Sequence, residues 1–307
     1  MPLRVELSTP KVPDSKAYKP QSERVQAVGP TKIQDPIIDC LCQQAEQAYE
    51  PKVKRPGEWL DSFKEKGQPI ANYSREASKV IKWSSADYNT IVLYIMDEGV
   101  PQDMIDALKT YCDAFFTDCR IEIRKGGESI PGGKKLPKDF FTEHRIKMRD
   151  DRTDPDRQAY TVDVLNRLVQ YKGKSTYAIL GVTTLDLYPG INFNYVFGWA
   201  NFGSGTGVFS FRRYHPQYFK WYTHSYQDYL RLACHTMAHE CCHMFGMHHC
   251  PYYECLMNGY NSLEEQIERK NNTLCPVCLK KLKLNVNFDT RKRFENLLAA
   301  VQKLGFS

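Results

Sequence analysis

The 307-residue sequence contains no apolar run near the roughly 20 residues that a membrane-spanning helix needs, so nothing in it points to a transmembrane segment. The first twenty residues, MPLRVELSTPKVPDSKAYKP, lack the apolar core of a secretory signal. The expectation is therefore a cytoplasmic or nuclear protein whose thiols stay reduced. No internal repeat is present, and no low-complexity tract lies beyond the proline-rich start. No block of like charge is present either. The net charge is +6 and the basic residues are scattered, which supports neither a nucleic-acid nor a membrane-surface partner.

Cysteine, by contrast, is plentiful. Eleven is a high and odd number, and in a reducing compartment such thiols are more often metal ligands or buried small hydrophobes than disulfides. Tyrosine is also abundant, with 19 copies in a composition that is otherwise globular at 42% hydrophobic and 25% charged. The length allows one large domain or two ordinary ones.

Six of the 17 prolines fall within residues 1–36 among polar neighbours, so this stretch reads as a mobile tail. Residues 36–84 carry weak helical hints. From Thr90 the pattern sharpens. TIVLYIMD reads as a buried strand and PQDMIDALKTYCDAFF as a helix with proline at its start. CRIEIRK reads as a strand, residues 126–137 as a loop, DVLNRLVQY as a helix and TYAILGVTTLDLY as a single strand. NFNYVFGWA and GVFSFRRY are strand-like, flanking the loop NFGSGT. Ser225 with Asp228 resembles a capping box, with the shorter Asp in place of the usual Glu, for a helix to Phe245 whose buried stripe is Leu230, Ala233, Met237, Cys241 and Met244 or Phe245. A last helix spans FDTRKRFENLLAAVQKL. Strands alternating with helices predict an α/β layer followed by a smaller irregular part.

Within the long helix, His239, Glu240 and His243 make H-E-x-x-H. Four residues advance about 400°, which brings both imidazoles to one face, about 6 Å apart along the axis. Two nitrogens at that spacing can converge on one metal, with Glu240 beside them to take a proton from an attacking water. Gly246 allows a sharp exit from the helix, and the turn can return His249 as a third ligand. Three neutral imidazoles leave a zinc ion its full charge and an open position, enough to lower a bound water's pKa to roughly 7. The competing reading is a helix with incidental histidines, which the added Gly246 and His249 disfavour. His235, one turn earlier, is expected to line the cleft or support a ligand.

Cys250 and Cys255 form C-x4-C, and Cys275 and Cys278 form C-x2-C. Four thiolates in two pairs suit a closed, tetrahedral, structural zinc site. A redox C-x-x-C and a set of buried thiols are the alternatives. Cys241 and Cys242 read as core or supporting thiols.

The uninterrupted string H-E-x-x-H-x-x-G-x-x-H-C-x4-C-x-M-x17-C-x2-C, from His239 to Cys278, resembles the archaemetzincins, zinc peptidases of the metzincin clan. The likeness extends from about Thr90 to the C-terminus. It implies catalytic zinc on His239, His243 and His249, Glu240 as general base, and structural zinc on Cys250, Cys255, Cys275 and Cys278, two Zn2+ per chain. Met257 would lie under the site. A tyrosine that some relatives of the clan place two residues after this methionine is replaced here by Gly259. The implied fold is α/β (α+β): a twisted, mostly parallel sheet with an antiparallel edge strand in NFNYVFGWA, a long zinc-binding helix, and a small C-terminal subdomain. The corresponding boundaries are a partly disordered extension 1–84, then a catalytic domain 85–307 divided at residue 249. The expected activity is peptide hydrolysis, exo- or endo-, with an aminopeptidase-like character. A two-zinc scaffold that binds peptides or proteins without turnover is the first rival, and a zinc-ribbon nucleic-acid module is the second. Oligomeric state is not read from the sequence.

Overall fold

The computed structural model describes residues 13–29, 33, 35–77, 88–150, 157–215, 218, 225–269 and 273–306. Two compact units form, each from two stretches of chain: Met1–Glu76 with Met247–Leu284, and Ala77–Gly246 with Asn285–Ser307. This division differs from boundaries drawn at residues 84 and 249.

Much of the proline-rich start is folded rather than a tail. Gln21–Val28 (α1) follows Pro20 and buries Arg24, Ala27 and Val28. Arg24 is only 3% exposed. Its guanidinium reaches Glu46 at 2.9 Å, Asp14 at 2.8 Å and the Lys19 carbonyl at 2.7 Å. This ion pair spans 22 residues, and no local pattern reveals it. The remainder of the expected tail, residues 1–12, 30–32 and 34, lies outside the described residues. Pro36–Gln43 (α2) starts where Asp35 accepts from the backbone of Ile37 and Ile38, with proline at the first helical position. Ala45–Ala48 (α3), Trp59–Ser62 (α4) and Ile70–Ala77 (α5) follow.

The second unit is built on a five-stranded sheet. Thr90–Ile95 (β1) is buried at all six positions, as the continuous apolar run TIVLYI requires when both faces are covered. Gln102–Phe115 (α6) leads to Arg120–Lys125 (β2), parallel to β1. Phe140–Glu143 (α7), Met148–Asp150 (β3), Arg157–Tyr160 (β4) and Thr161–Leu168 (α8) come next. The expected strand TYAILGVTTLDLY divides into Thr176–Thr183 (β5) and Asp186–Tyr188 (β6), which belong to different sheets. Asp97 causes the break. Its carboxylate accepts from the Thr183 hydroxyl at 2.7 Å, the Thr184 amide at 2.9 Å and the Thr184 hydroxyl at 2.7 Å, turning the chain.

Only the end of NFNYVFGWA is strand: Gly198–Asn201 (β7), antiparallel to Thr206–Ser210 (β8). Upstream, the carbonyls of Phe193 and Asn194 accept from Arg149 at 2.8 and 2.7 Å, and Asn194 also accepts from Gln158, so this backbone is engaged by side chains instead of a ladder. The large sheet runs β2-β1-β5-β8-β7, parallel except for β7 at its edge, and the small one runs β3-β4-β6.

Tyr226–Met244 (α9) begins with a complete capping box: Ser225 accepts from the Asp228 amide at 3.1 Å and the Asp228 carboxylate accepts from the Ser225 amide at 3.3 Å. It is buried on nearly every side from Arg231 onward, not along one stripe, and Leu230 is only half-buried. Leu263–Arg269 (α10) and Pro276–Val286 (α11) belong to the first unit but for the last two residues of α11, and Thr290–Leu304 (α12) to the second. Among the described residues, no helix is long and apolar enough to cross a membrane.

Candidate metal centres

The histidine cluster comes from one continuous stretch. α9 carries His239 and His243, whose rings lie 4.5 Å apart at 87°. The helix ends at Phe245, and Gly246 turns the chain with φ of 80°, a conformation that a side chain strains. The following residues 247–250 have no regular secondary structure. One ligand atom from each of His239, His243 and His249 lies within 4.8 Å of the other two. Three ligands about 2 Å from a single ion sit roughly 3–3.5 Å from one another, so small side-chain adjustments suffice to admit zinc. His239 and His249 are half-buried, which leaves an open side.

Glu240 points away from water. It is 6% exposed, and a Cβ at Gly198 would stand 2.5 Å from its Oε1, so β7 passes directly against this carboxyl. Burial pushes its pKa up to about 8. Phe202, just after β7, meets the His243 ring edge-on at 5.4 Å. His235 does not line a cleft. It is 6% exposed in the core beside Tyr111, ring centroids 6.1 Å apart. Its Nε2 has no hydrogen-bond partner among the described residues. Burial, reinforced by the Arg231 charge, holds it neutral with a pKa near 3. His248 is exposed, and its amide donates to Gln68 Oε1 at 3.2 Å. Cys241 and Cys242 are fully buried in α9.

His249 is framed by side chains that sequence reasoning missed. Glu65 Oε1 lies 3.0 Å from His249 Nδ1 and accepts from Trp59 Nε1 at 2.8 Å. Burial alone would raise the Glu65 carboxyl, but the hydrogen bond and charge of His249, with the Trp59 N–H, hold it below the usual range. Trp59 meets the imidazole edge-on at 5.0 Å. It also rests on Gly259, where a Cβ would come within 2.6 Å of the indole. No sequence signal announced Glu65 or Trp59. Gly198 did carry one, since glycine inside a strand pattern often marks close backbone approach.

The cysteine cluster lies wholly in the first unit. The Sγ atoms of Cys250, Cys255, Cys275 and Cys278 all lie within 4.8 Å of one another, and all four residues are buried. The Cys250–Cys275 sulfurs are 3.6 Å apart and all four thiols are free. Thiolates about 2.3 Å from a tetrahedral ion are separated by roughly 3.8 Å, so the donor set fits zinc without rearrangement. Burial pushes Cys255 and Cys275 well above the ordinary thiol range, a cost that a bound cation removes. Pro276 starts α11 between the second pair of ligands. Asn258 ties the first loop, donating to the carbonyls of Cys250 at 2.6 Å and Tyr253 at 3.0 Å. Met257 is fully buried there, its carbonyl accepting from the Cys250 amide at 2.7 Å.

Residues 90–284, more than half of the chain, match the model of peptidase family M54. The chain belongs to that family, the archaemetzincins. Archaemetzincin-2 of Macaca fascicularis is 30% identical over 274 residues, covering 79% of this chain and 71% of its own length. Archaemetzincin-2 of Homo sapiens is 28% identical with the same coverage. The crystal structure of archaemetzincin from Methanopyrus kandleri superposes with a TM-score of 0.50 at 25% identity, covering 66% of this chain and 97% of that one. At family level the chain is therefore a zinc metallopeptidase with the family's mixed α/β fold.

Proposed function

We propose that the chain hydrolyses peptide bonds at a zinc ion held by His239, His243 and His249, with Glu240 as general base, and that Cys250, Cys255, Cys275 and Cys278 hold a second, structural zinc. The observation that carries this reading is the convergence of three imidazoles at the end of the helix that also carries Glu240, whose carboxyl is pressed against an edge strand. When bound, the catalytic ion supplies Lewis-acid polarisation of a carbonyl and acidifies water. Glu240 then takes the proton from the attacking water and delivers it to the leaving amine. Among the described residues no strand pairs with the outer edge of β7, which would offer backbone groups to an extended peptide lying antiparallel to it. Eleven cysteines with no disulfide among them suit a reducing compartment such as cytosol or nucleus.

Native mass spectrometry and peptide cleavage test this together. Wild type should carry two zinc ions, losing one ahead of the other under mild chelation. Glu240→Gln should keep both and lose cleavage by about 10²–10⁴-fold. Cleavage at the wild-type rate by that variant would overturn the role of Glu240. A two-zinc wild type that cleaves no peptide would favour a binding scaffold instead. Peptides with free and acetylated N-termini separate aminopeptidase from endopeptidase action.

A further inference from the structure

We infer that Glu65, with Trp59, is a positioning residue for the catalytic zinc: together they hold the His249 imidazole in the orientation and tautomer that a metal needs. The inference rests on the assignment of His249 as a zinc ligand.

The need for such a device follows from the backbone. His239 and His243 stand on a helix, whose turns fix where their side chains point. His249 stands on a segment without regular secondary structure, three residues past the turn at Gly246. Its ring must be held by something other than its own backbone. Glu65 does this from Nδ1, at 3.0 Å. With Nδ1–H donating to a carboxylate, the lone pair sits on Nε2, the tautomer required for ligation from that side.

The brace is itself held. Glu65 Oε1 also accepts from Trp59 Nε1 at 2.8 Å, so the carboxylate cannot swing away without losing two donors. The backbone of Glu65 is clamped by Tyr18, whose hydroxyl accepts from the Glu65 amide at 3.1 Å and donates to its carbonyl at 3.3 Å. Trp59 closes the other side of the imidazole. Its indole stacks on Phe63 at 4.0 Å and packs on the bare backbone of Gly259, where a side chain would displace it. The Trp59 amide donates to the Glu265 carboxylate at 3.0 Å, which ties this part of the segment to α10. Residues 59 and 65 lie before residue 90, where the family match begins, so this support is supplied by chain outside the matched segment.

The test uses the full-length, zinc-loaded protein, with zinc retention against a graded chelator and the visible spectrum after cobalt replacement as readouts. Wild type should hold two metals. Glu65→Ala should weaken the first-lost metal by about 10–100-fold, Glu65→Gln by less, and both should alter the cobalt spectrum of that site while the thiolate-bound metal and the melting temperature stay unchanged. Trp59→Phe, which keeps a ring but removes the N–H, should weaken the same metal a few-fold. Asp61→Asn, in the same segment but away from His249, should retain metal like wild type. A wild type holding only the thiolate-bound metal would sink the zinc assignment and this inference with it. Two metals in wild type, with unaltered affinity and spectrum in both Glu65 variants, would sink this inference alone.

Discussion

The two clusters use neighbouring stretches of chain yet differ in what surrounds them. The four thiols come from a loop and the first turn of α11, and every one is buried. The three imidazoles come from the end of α9 and the turn beyond it, and two of them keep partial contact with solvent. Sulfur donors sealed from water leave no position for a reactant, so an ion bound there would only hold structure. Nitrogen donors that leave one side open keep the ion's charge available to a substrate. Donor type and burial thus separate a structural role from a chemical one.

Removing a sulfur tests the first half of that contrast with the largest effect. Cys275→Ser should lose the tightly held zinc, expose the first unit to limited proteolysis and lower the melting temperature by many degrees, because metal binding and folding are the same free energy in such a site. Retention of two zincs with an unchanged melting temperature would show that the cysteines pack without a metal. A smaller effect should come from the open cluster. Gly198→Ala places a methyl where Glu240 Oε1 now lies, 2.5 Å away, and should cut kcat by about 10–100-fold with zinc content intact. Wild-type kcat would mean that the carboxyl moves aside freely and that its seat against β7 is incidental.

The smallest effect at neutral pH concerns His235, which shares α9 with the ligands but lies in the core. Burial holds the folded group neutral with a pKa near 3, whereas the unfolded chain takes up a proton near 6.5. The unfolded state therefore binds more protons below about pH 6.5, and the stability is complete above that value and lost as pH falls towards 3. Between pH 6.5 and 5, wild type should lose about 2 kcal/mol relative to His235→Leu, measured by denaturant unfolding at each pH. Parallel decline of the two proteins would show that His235 is not the group responsible.

The histidine cluster was legible because it is local: H-E-x-x-H places two imidazoles on one helix face, and glycine with a third histidine follows within the next turn. The capping box at Ser225 was equally readable, even with the shorter Asp228 as its partner. α11 was missed although Pro276 at its first position and the buried Val277, Leu279 and Leu282 gave a signal. Other features left no local trace. Asp97 splits an apolar run about 87 residues away, Arg149 takes carbonyls that the pattern assigned to a strand, and Glu46 keeps Arg24 folded within a proline-rich start.

From sequence alone come the histidines and cysteines, their spacing, most of the strands and the helix that presents two of the histidines. These depend on backbone periodicity and side-chain chemistry within a few residues, which the order of amino acids fixes directly. Tertiary structure decided that His235 is core, that Gly198 seats Glu240, and that Glu65 and Trp59 reach His249 across more than 180 residues. Such contacts depend on where distant segments meet after folding, and no period in the chain encodes that meeting.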